Sequence, residues 1–156
     1  MAVNNDPLLA GKPNNGNAVW LPATTANTKS DGTGTIGTDM LLLLAADTTY
    51  GTFIQKVRLN PQASAAATAT TATVARIYIS TQSSGATTNA NTQLWAEVAC
   101  AAQTADQTTT ATVPIEIPVG IALAAGETLL FSMHHSAAAN TSWGITAVGG
   151  DYIKVP

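Results

Sequence analysis

The amino-acid sequence predicts an all-β protein, an antiparallel β-sandwich or jelly roll that follows an extended N-terminal arm. Short apolar runs recur from Ile36 onward, and several alternate apolar and polar residues with the period of two that half-buried strands show. No segment carries an apolar stripe with the helical period of 3.6 residues. The Ala-rich stretches are interleaved with Thr, which is β-branched and favours extended backbone over helix.

The arm is predicted over 1–35 and the sandwich over 36–156. The arm consists mostly of Asn, Gly, Thr, Ala and Pro, with a single aromatic side chain, Trp20. Because this composition offers little to bury, we expect the arm to be held by another molecule, with Trp20 and Leu21 as its anchor. The Gly-rich run DGTGTIG is predicted to be a hinge, since a phosphate-binding loop would need a helix after it.

The sandwich is expected to contain seven strands and a short final pairing at 152–155. The strands are predicted at 38–46, 52–60, 72–81, 93–101, 109–117, 127–135 and 142–148. The first is a continuous Leu run, as expected for a strand that is buried on both faces. Pro114 marks the fifth as an edge strand, since proline cannot donate to a ladder. The run PVGIALAAG is expected to cross one end of the sandwich, and the order of the strands stays open.

Strict alternation predicts which side chains face outward. In the second strand Phe53 is expected inward, whereas Ile54, Lys56 and Arg58 are expected outward. If the second and third strands lie side by side, these outward residues join Arg76 and Tyr78 in one apolar, basic and aromatic patch. The alternative is an ordinary solvated sheet face. The predicted partner-contact residues are Trp20, Leu21, Ile54, Lys56, Arg58, Arg76 and Tyr78.

The composition argues against several classes of partner. Charged residues make up 10% of the chain, well below the roughly 25% of ordinary soluble domains, and the net charge is −3. The Lys and Arg residues are dispersed, which argues against a nucleic-acid partner. The aliphatic run 40–46 is too short to span a bilayer, and no signal peptide is recognisable, so we expect synthesis in a cytoplasm and no membrane partner. A charge-poor surface suits flat contact between subunits, and a secreted low-complexity stalk is the alternative.

No set of residues predicts an enzyme. His134 and His135 are adjacent on a strand, so they point to opposite faces and cannot chelate a metal together. The chain has no G-x-S-x-G motif, and its carboxylates are spread singly. Cys100 is the single cysteine and is expected to be a small buried apolar residue. We expect no catalytic residue, no cofactor and no metal.

The C-terminal part of the chain contains PIEIPVGIALAAGETLLFSM, then a turn, then WGITAVGGDY. Over about 110–152 this pattern resembles small virion proteins of tailed bacteriophages, of the capsid decoration (cement) type. The shared features are a proline-bounded strand, a G-x-x-L-x-x-G crossover and a terminal Trp strand that ends in Gly-Gly-Asp-Tyr. These motifs are structural, so the resemblance implies a shared β-sandwich or jelly-roll fold more directly than a shared role.

We therefore expect a head decoration protein on the capsid exterior, with the major capsid protein as its partner and a homotrimer as its assembly. Two alternatives remain. A receptor- or glycan-binding module of a phage fibre would use exposed aromatic and amide side chains, for which Tyr78, Trp95 and 89–91 are the candidates. A hydrolase would require two carboxylates, or a Ser and a His, to meet in one pocket.

Overall fold

A computed structural model of the chain describes residues 8–64, 68–106 and 111–154. Every regular element within these ranges is a strand, so the all-β prediction is confirmed. The strands are β1 (Leu8–Pro13), β2 (Gly16–Trp20), β3 (Gly34–Ile36), β4 (Leu41–Ala45), β5 (Thr52–Ala63), β6 (Thr68–Ala69), β7 (Thr73–Ser80), β8 (Gly85–Thr87), β9 (Thr92–Cys100), β10 (Thr104–Ala105), β11 (Ile115–Leu123), β12 (Thr128–Met133) and β13 (Thr141–Lys154).

Two antiparallel sheets form the body of the molecule. The first sheet has the order β2-β13-β5-β11, and β1 continues the β2 edge along the same side of β13. The second sheet has the order β4-β12-β7-β9. The pairing is nested along the chain: β2 pairs with β13, β4 with β12, β5 with β11 and β7 with β9. This nested pairing over two sheets is the winding pattern of a jelly roll.

The core lies between the two sheets and is built from alternate residues of the strands. Leu129, Phe131 and Met133 of β12 face it, as predicted, and so do alternate residues of β13 from Trp143 onward. Trp20 of β2 is fully buried in the same core. Its ring meets Phe131 edge-on, with the ring centroids 6.1 Å apart. Its indole Nε1 donates a hydrogen bond to the His135 carbonyl at 3.0 Å, which satisfies the polar end of the buried ring.

The segment predicted to be an arm is part of the sandwich from residue 8 onward. β1 and β2 both pair with β13 of their own chain, which corrects the expectation that this segment needs another molecule to hold it. The physical reason is that β13 is a long central strand with open hydrogen-bonding groups on one side. Pairing with it satisfies backbone groups and needs few large side chains, so composition alone did not reveal it. Residues 1–7 lie outside the described part of the chain.

After β2 the chain crosses the end of the sandwich and runs over the outer face of the second sheet. We call residues 27–33 the strap. The Asn27 backbone amide donates to the Met133 carbonyl at 2.9 Å, and Asn27 is buried. After the strap, β3 pairs with β8, and Met40 packs with Tyr78 and Leu130 in a second, smaller apolar cluster. The protein's own chain therefore covers the outer face of the second sheet over β7 and β12.

A bulge accounts for the two side-chain orientations in β5 that differ from the prediction. Gln55 is the extra residue where β5 meets β13, because Lys56 pairs with Val148 and Ile54 with Gly149. The bulge turns Ile54 inward, where it is fully buried, whereas Phe53 is half-buried, which corrects both expected orientations. β13 continues through the Gly-Gly pair that was expected to end it. β11 includes much of the segment predicted as a crossover, and it is an edge strand as expected.

Candidate interaction surfaces

The predicted partner-contact residues lie in three places rather than one. β5 and β7, which carry most of them, belong to different sheets, so the expected single patch does not form. Trp20 and Ile54 are in the core. Arg76 and Tyr78 point outward from the second sheet, as expected, but the strap covers them. Leu21 and Arg58 are exposed, and Lys56 is partly exposed.

Arg76 is the centre of the covered site. Its guanidinium donates to the carbonyls of Asn27 at 2.9 Å and Lys29 at 3.2 Å, both in the strap. Its Nε donates to the Glu97 carboxylate on β9 at 2.6 Å, and Arg76 is only 7% exposed. These are charge-assisted hydrogen bonds, which are stronger than neutral ones. Arg76 therefore holds the strap to the sheet.

Tyr78 adds a second attachment for the strap. Its hydroxyl donates to the Lys29 carbonyl at 3.2 Å and lies 3.2 Å from the Ser132 hydroxyl on β12. Burial raises the pKa of the Tyr78 phenol, so the hydroxyl keeps its proton and remains a donor near neutral pH. Arg76 and Tyr78, which were predicted to meet a partner, thus bind their own chain.

The outer face of the first sheet is not covered in the same way. Across this face Asn17, Thr146, Arg58 and Glu116 stand side by side on β2, β13, β5 and β11. The Thr146 hydroxyl donates to the Asn17 side-chain oxygen at 3.0 Å. The row carries small polar side chains at one end and an Arg–Glu pair at the other.

Glu116 is engaged by its neighbour Lys56, whose Nζ lies 2.9 Å from the carboxylate. This hydrogen bond and the positive charge of Lys56, with a smaller contribution from Arg58, lower the pKa of Glu116. Glu116 is therefore ionised at neutral pH. No residue in the described part of the chain forms a hydrogen bond or ion pair with the Arg58 guanidinium, which is exposed.

Sequence patterns did not identify Glu97 and Glu116 as the acidic neighbours of Arg76 and Arg58. Each lies directly across from an arginine on the neighbouring strand: Glu97 from Arg76 and Glu116 from Arg58. Both glutamates were visible in the sequence as isolated carboxylates. Their significance depends on which strands are neighbours and in what register, and no local signal gives that.

A buried carboxylate fixes β1 and β2 to the sandwich. Asp151 on β13 is 6% exposed and accepts hydrogen bonds from the Asn14 amide and the Thr52 hydroxyl, each at 2.6 Å. Lys12 Nζ lies 3.8 Å from its other oxygen. The cluster joins three separate segments, namely 12–14, β5 and β13, so it has a structural role.

The residues proposed for glycan binding do not meet in one groove. An open groove of about 550 Å³ lies beside the strap, and its polar walls include Asp31, Asn89, Asn91 and Glu127. Neither Trp95, which is 44% exposed on β9, nor buried Tyr78 lines it. A sugar face normally stacks on an aromatic ring, and this groove offers none.

Within the described residues no group of three or more His, Cys, Asp or Glu side chains is placed to hold a metal ion. The rings of His134 and His135 contact each other edge-on, with centroids 4.8 Å apart. The buried Nδ1 of His134 has no hydrogen-bond partner in the part of the chain that the structure describes. Among the described residues there is also no helix that is long and apolar enough to cross a bilayer.

Comparison with known proteins places these features in context. The sequence matches no protein-family profile and shows no significant similarity to a curated protein. Among solved structures it is similar to a chain of the "Cyanophage Pam1 capsid asymmetric unit", with 14% identity, a TM-score of 0.42 and coverage of 97% of this chain and 99% of that one. It is also similar to a chain of infectious bursal disease virus, strain Gx, with 17% identity, a TM-score of 0.32 and coverage of 94% of this chain and 32% of the other. Likenesses at these scores establish neither a shared fold nor a shared role.

Proposed function

We propose that this chain is a structural virion protein, a phage head decoration (cement) protein that binds the exterior of the capsid. Its partners in this proposal are the major capsid protein and two further copies of itself, in a trimer. The observation that carries the proposal is the outer face of the first sheet. It is a broad sheet face that the described chain leaves uncovered, on a protein whose surface is otherwise poor in charge. The sequence resemblance over 110–152 supports the same role.

The structure changes the reason for the proposal. From residue 8 onward the predicted arm is not available to hold a capsid, because β1 and β2 complete the protein's own sheet. Trp20 is likewise committed to its own core. Attachment to a capsid is therefore proposed through a preformed face, which requires no ordering of a long segment and so has a lower entropic cost.

The proposed mechanism is mechanical reinforcement. A shell under internal pressure is weakest where capsomers meet, and a subunit that touches several of them adds contact area across the junction. Each specific contact needs roughly 800 Å² per partner. Three linked contacts of modest affinity give nearly irreversible attachment, because the first raises the effective concentration of the others. No catalytic step is part of this proposal.

The copy number and position of the protein in purified virions test this function. Quantitative mass spectrometry should find hundreds of copies per particle, and cryo-electron microscopy should place them on the outside of the shell. A few dozen copies at a fibre would favour the receptor- or glycan-binding module instead. Absence of the protein from purified particles would contradict both. Sedimentation of the purified protein tests the trimer, and a monomer at micromolar concentration would contradict it.

A further inference from the structure

The outer faces of the two sheets carry the same cross-strand pair. On the second sheet Arg76 of β7 stands opposite Glu97 of β9, and on the first sheet Arg58 of β5 stands opposite Glu116 of β11. In each case the glutamate lies on the edge strand and the arginine on the strand beside it. One pair is covered and the other is not, so the covered pair shows what the exposed pair is equipped to bind.

The covered pair binds the backbone of the strap, an irregular segment with bends at 30–32. The strap crosses Arg76 and offers it two main-chain carbonyls, from Asn27 and Lys29, at 2.9 and 3.2 Å. Glu97 accepts from Nε on the other side of the same guanidinium. The planar fork of an arginine can serve both acceptors at once, which a lysine cannot do in the same geometry. The result is a segment held against the outer face of the sheet without pairing to either edge.

Arg58 has the same guanidinium donors as Arg76, but it lacks the acceptors that Arg76 binds. Lys56 occupies Glu116 at 2.9 Å, and within the described ranges no carbonyl or carboxylate binds the donors of Arg58. The positions beside Arg58 are small: Thr146 lies next to it on β13, and Asn17 lies beyond on β2. Low side chains allow a backbone segment to approach the sheet closely.

We propose that the outer face of the first sheet binds a backbone segment of the capsid protein, whose carbonyl oxygens accept hydrogen bonds from Arg58 as the strap's carbonyls accept them from Arg76. This inference rests on the proposed function, because the capsid protein is its stated partner. It adds the arginine and the groups that the arginine binds. The segment lies across the sheet rather than adding a strand to its edge.

Cosedimentation of the purified protein with capsids that lack it tests the role of Arg58. Arg58→Ala is expected to weaken binding about tenfold or more, and Arg58→Lys is expected to restore only part of the loss. Gln93→Ala, on the exposed edge strand of the second sheet, is the matched control and should bind within about twofold of the natural protein. Because Arg58 is exposed, its variants should keep the natural melting temperature.

Arginine footprinting with phenylglyoxal gives a second, variant-free measurement. Arg58 should be modified in the free protein and protected on the capsid, whereas Arg76 should be protected in both states. Equal modification of Arg58 in the free and bound protein would overturn this inference, as would an Arg58→Ala variant that binds normally. If Arg58→Ala changes only the self-association of the protein, the occupant is a second copy and the inference is wrong. Failure of the natural protein to bind capsids would instead contradict the proposed function.

Discussion

At the scale of single residues, Arg76 determines the path of a whole segment. A buried guanidinium must find acceptors, and the strap supplies two of them as main-chain carbonyls. The sequence showed Arg76 as an outward residue on a strand, and that orientation is correct. Its burial was not predictable, because it depends on a segment more than forty residues earlier in the chain.

Removing the Arg76 side chain should release the strap. Arg76→Ala leaves two carbonyls without their donor, and we expect it to lower the free energy of unfolding by about 2–3 kcal/mol. Glu97→Gln should cost less, because the Glu97 side chain is 42% exposed and water can replace part of the interaction. Urea denaturation measures both. Equal losses for the two variants would show that the ion pair, rather than the strap contacts, carries the stability.

The buried indole of Trp20 gives a second test. Trp20→Ala removes a fully buried ring from between the sheets and should destabilise the protein by about 3–5 kcal/mol. The hypothesis of an external anchor predicts instead an unchanged melting temperature. Trp95→Ala is the control, since this ring is 44% exposed, and it should leave the thermal midpoint nearly unchanged. Thermal unfolding followed by circular dichroism distinguishes the two expectations.

Cys100 provides a test by chemical reactivity. Burial raises the pKa of its thiol to about 11, from an ordinary value of 9.0. The thiolate is the reactive form, so at pH 8 the native protein should react with iodoacetamide roughly a hundredfold more slowly than an unfolded control. As pH rises towards 11 the native rate should increase. Native and denatured rates that agree at pH 8 would contradict the buried position.

At the scale of elements, the sequence predicted strands well, but it predicted less well which side chains of a strand face the core. The alternation in β12 and β13 predicted the core residues of both strands because pairing there is largely regular. Bulges interrupt alternation in β5 and in β9, where Ile77 pairs with Ala96 and Tyr78 with Leu94. A bulge depends on the partner strand, so single-sequence periodicity could not place it. β1 and β2 were missed because neither segment alternates apolar and polar residues, so no local pattern marked them as strands.

The contact between β2 and β4 depends on a glycine. A Cβ built on Gly16 would collide with the Leu43 carbonyl, which belongs to the backbone and cannot swing away. Gly16→Ala should therefore push β2 off its neighbour and destabilise the protein by about 1–3 kcal/mol. In Gly144→Ala the nearest atoms belong to the flexible Gln62 side chain at 3.1 Å, so this control should cost less. Chemical denaturation compares them, and equal costs would contradict the close approach.

At the scale of the whole molecule, the nested pairing ties the beginning of the chain to its end. β2 completes the first sheet, and both β1 and β2 cover an edge of β13 that would otherwise lie open. The composition of this segment suggested that the sandwich could fold without it, but its two strands are needed for the fold. Topology of this kind results from pairings between distant parts of the sequence, which local patterns do not specify.

Deletion of 1–35 tests this view directly. The truncated chain loses Trp20, the strap, β1, β2 and most of β3, and we expect it to aggregate or to lack a cooperative unfolding transition. The arm hypothesis predicts a soluble, folded sandwich. Circular dichroism and size-exclusion chromatography decide between these outcomes, with full-length Trp20→Ala as the control that keeps both strands. A truncated protein with a native-like cooperative transition would contradict the structure.

Leu8 and Lys154 are register partners in neighbouring strands, so their Cα atoms are roughly 5 Å apart. A cargo domain joined directly to Leu8 or to Lys154 would therefore start at the same corner of the molecule. A short peptide linker could also connect these two residues, with fresh termini opened at the 88–91 turn, to give a circular permutant. For engineered display, this corner is a single attachment point, and Arg58 lies opposite Thr146, further along β13.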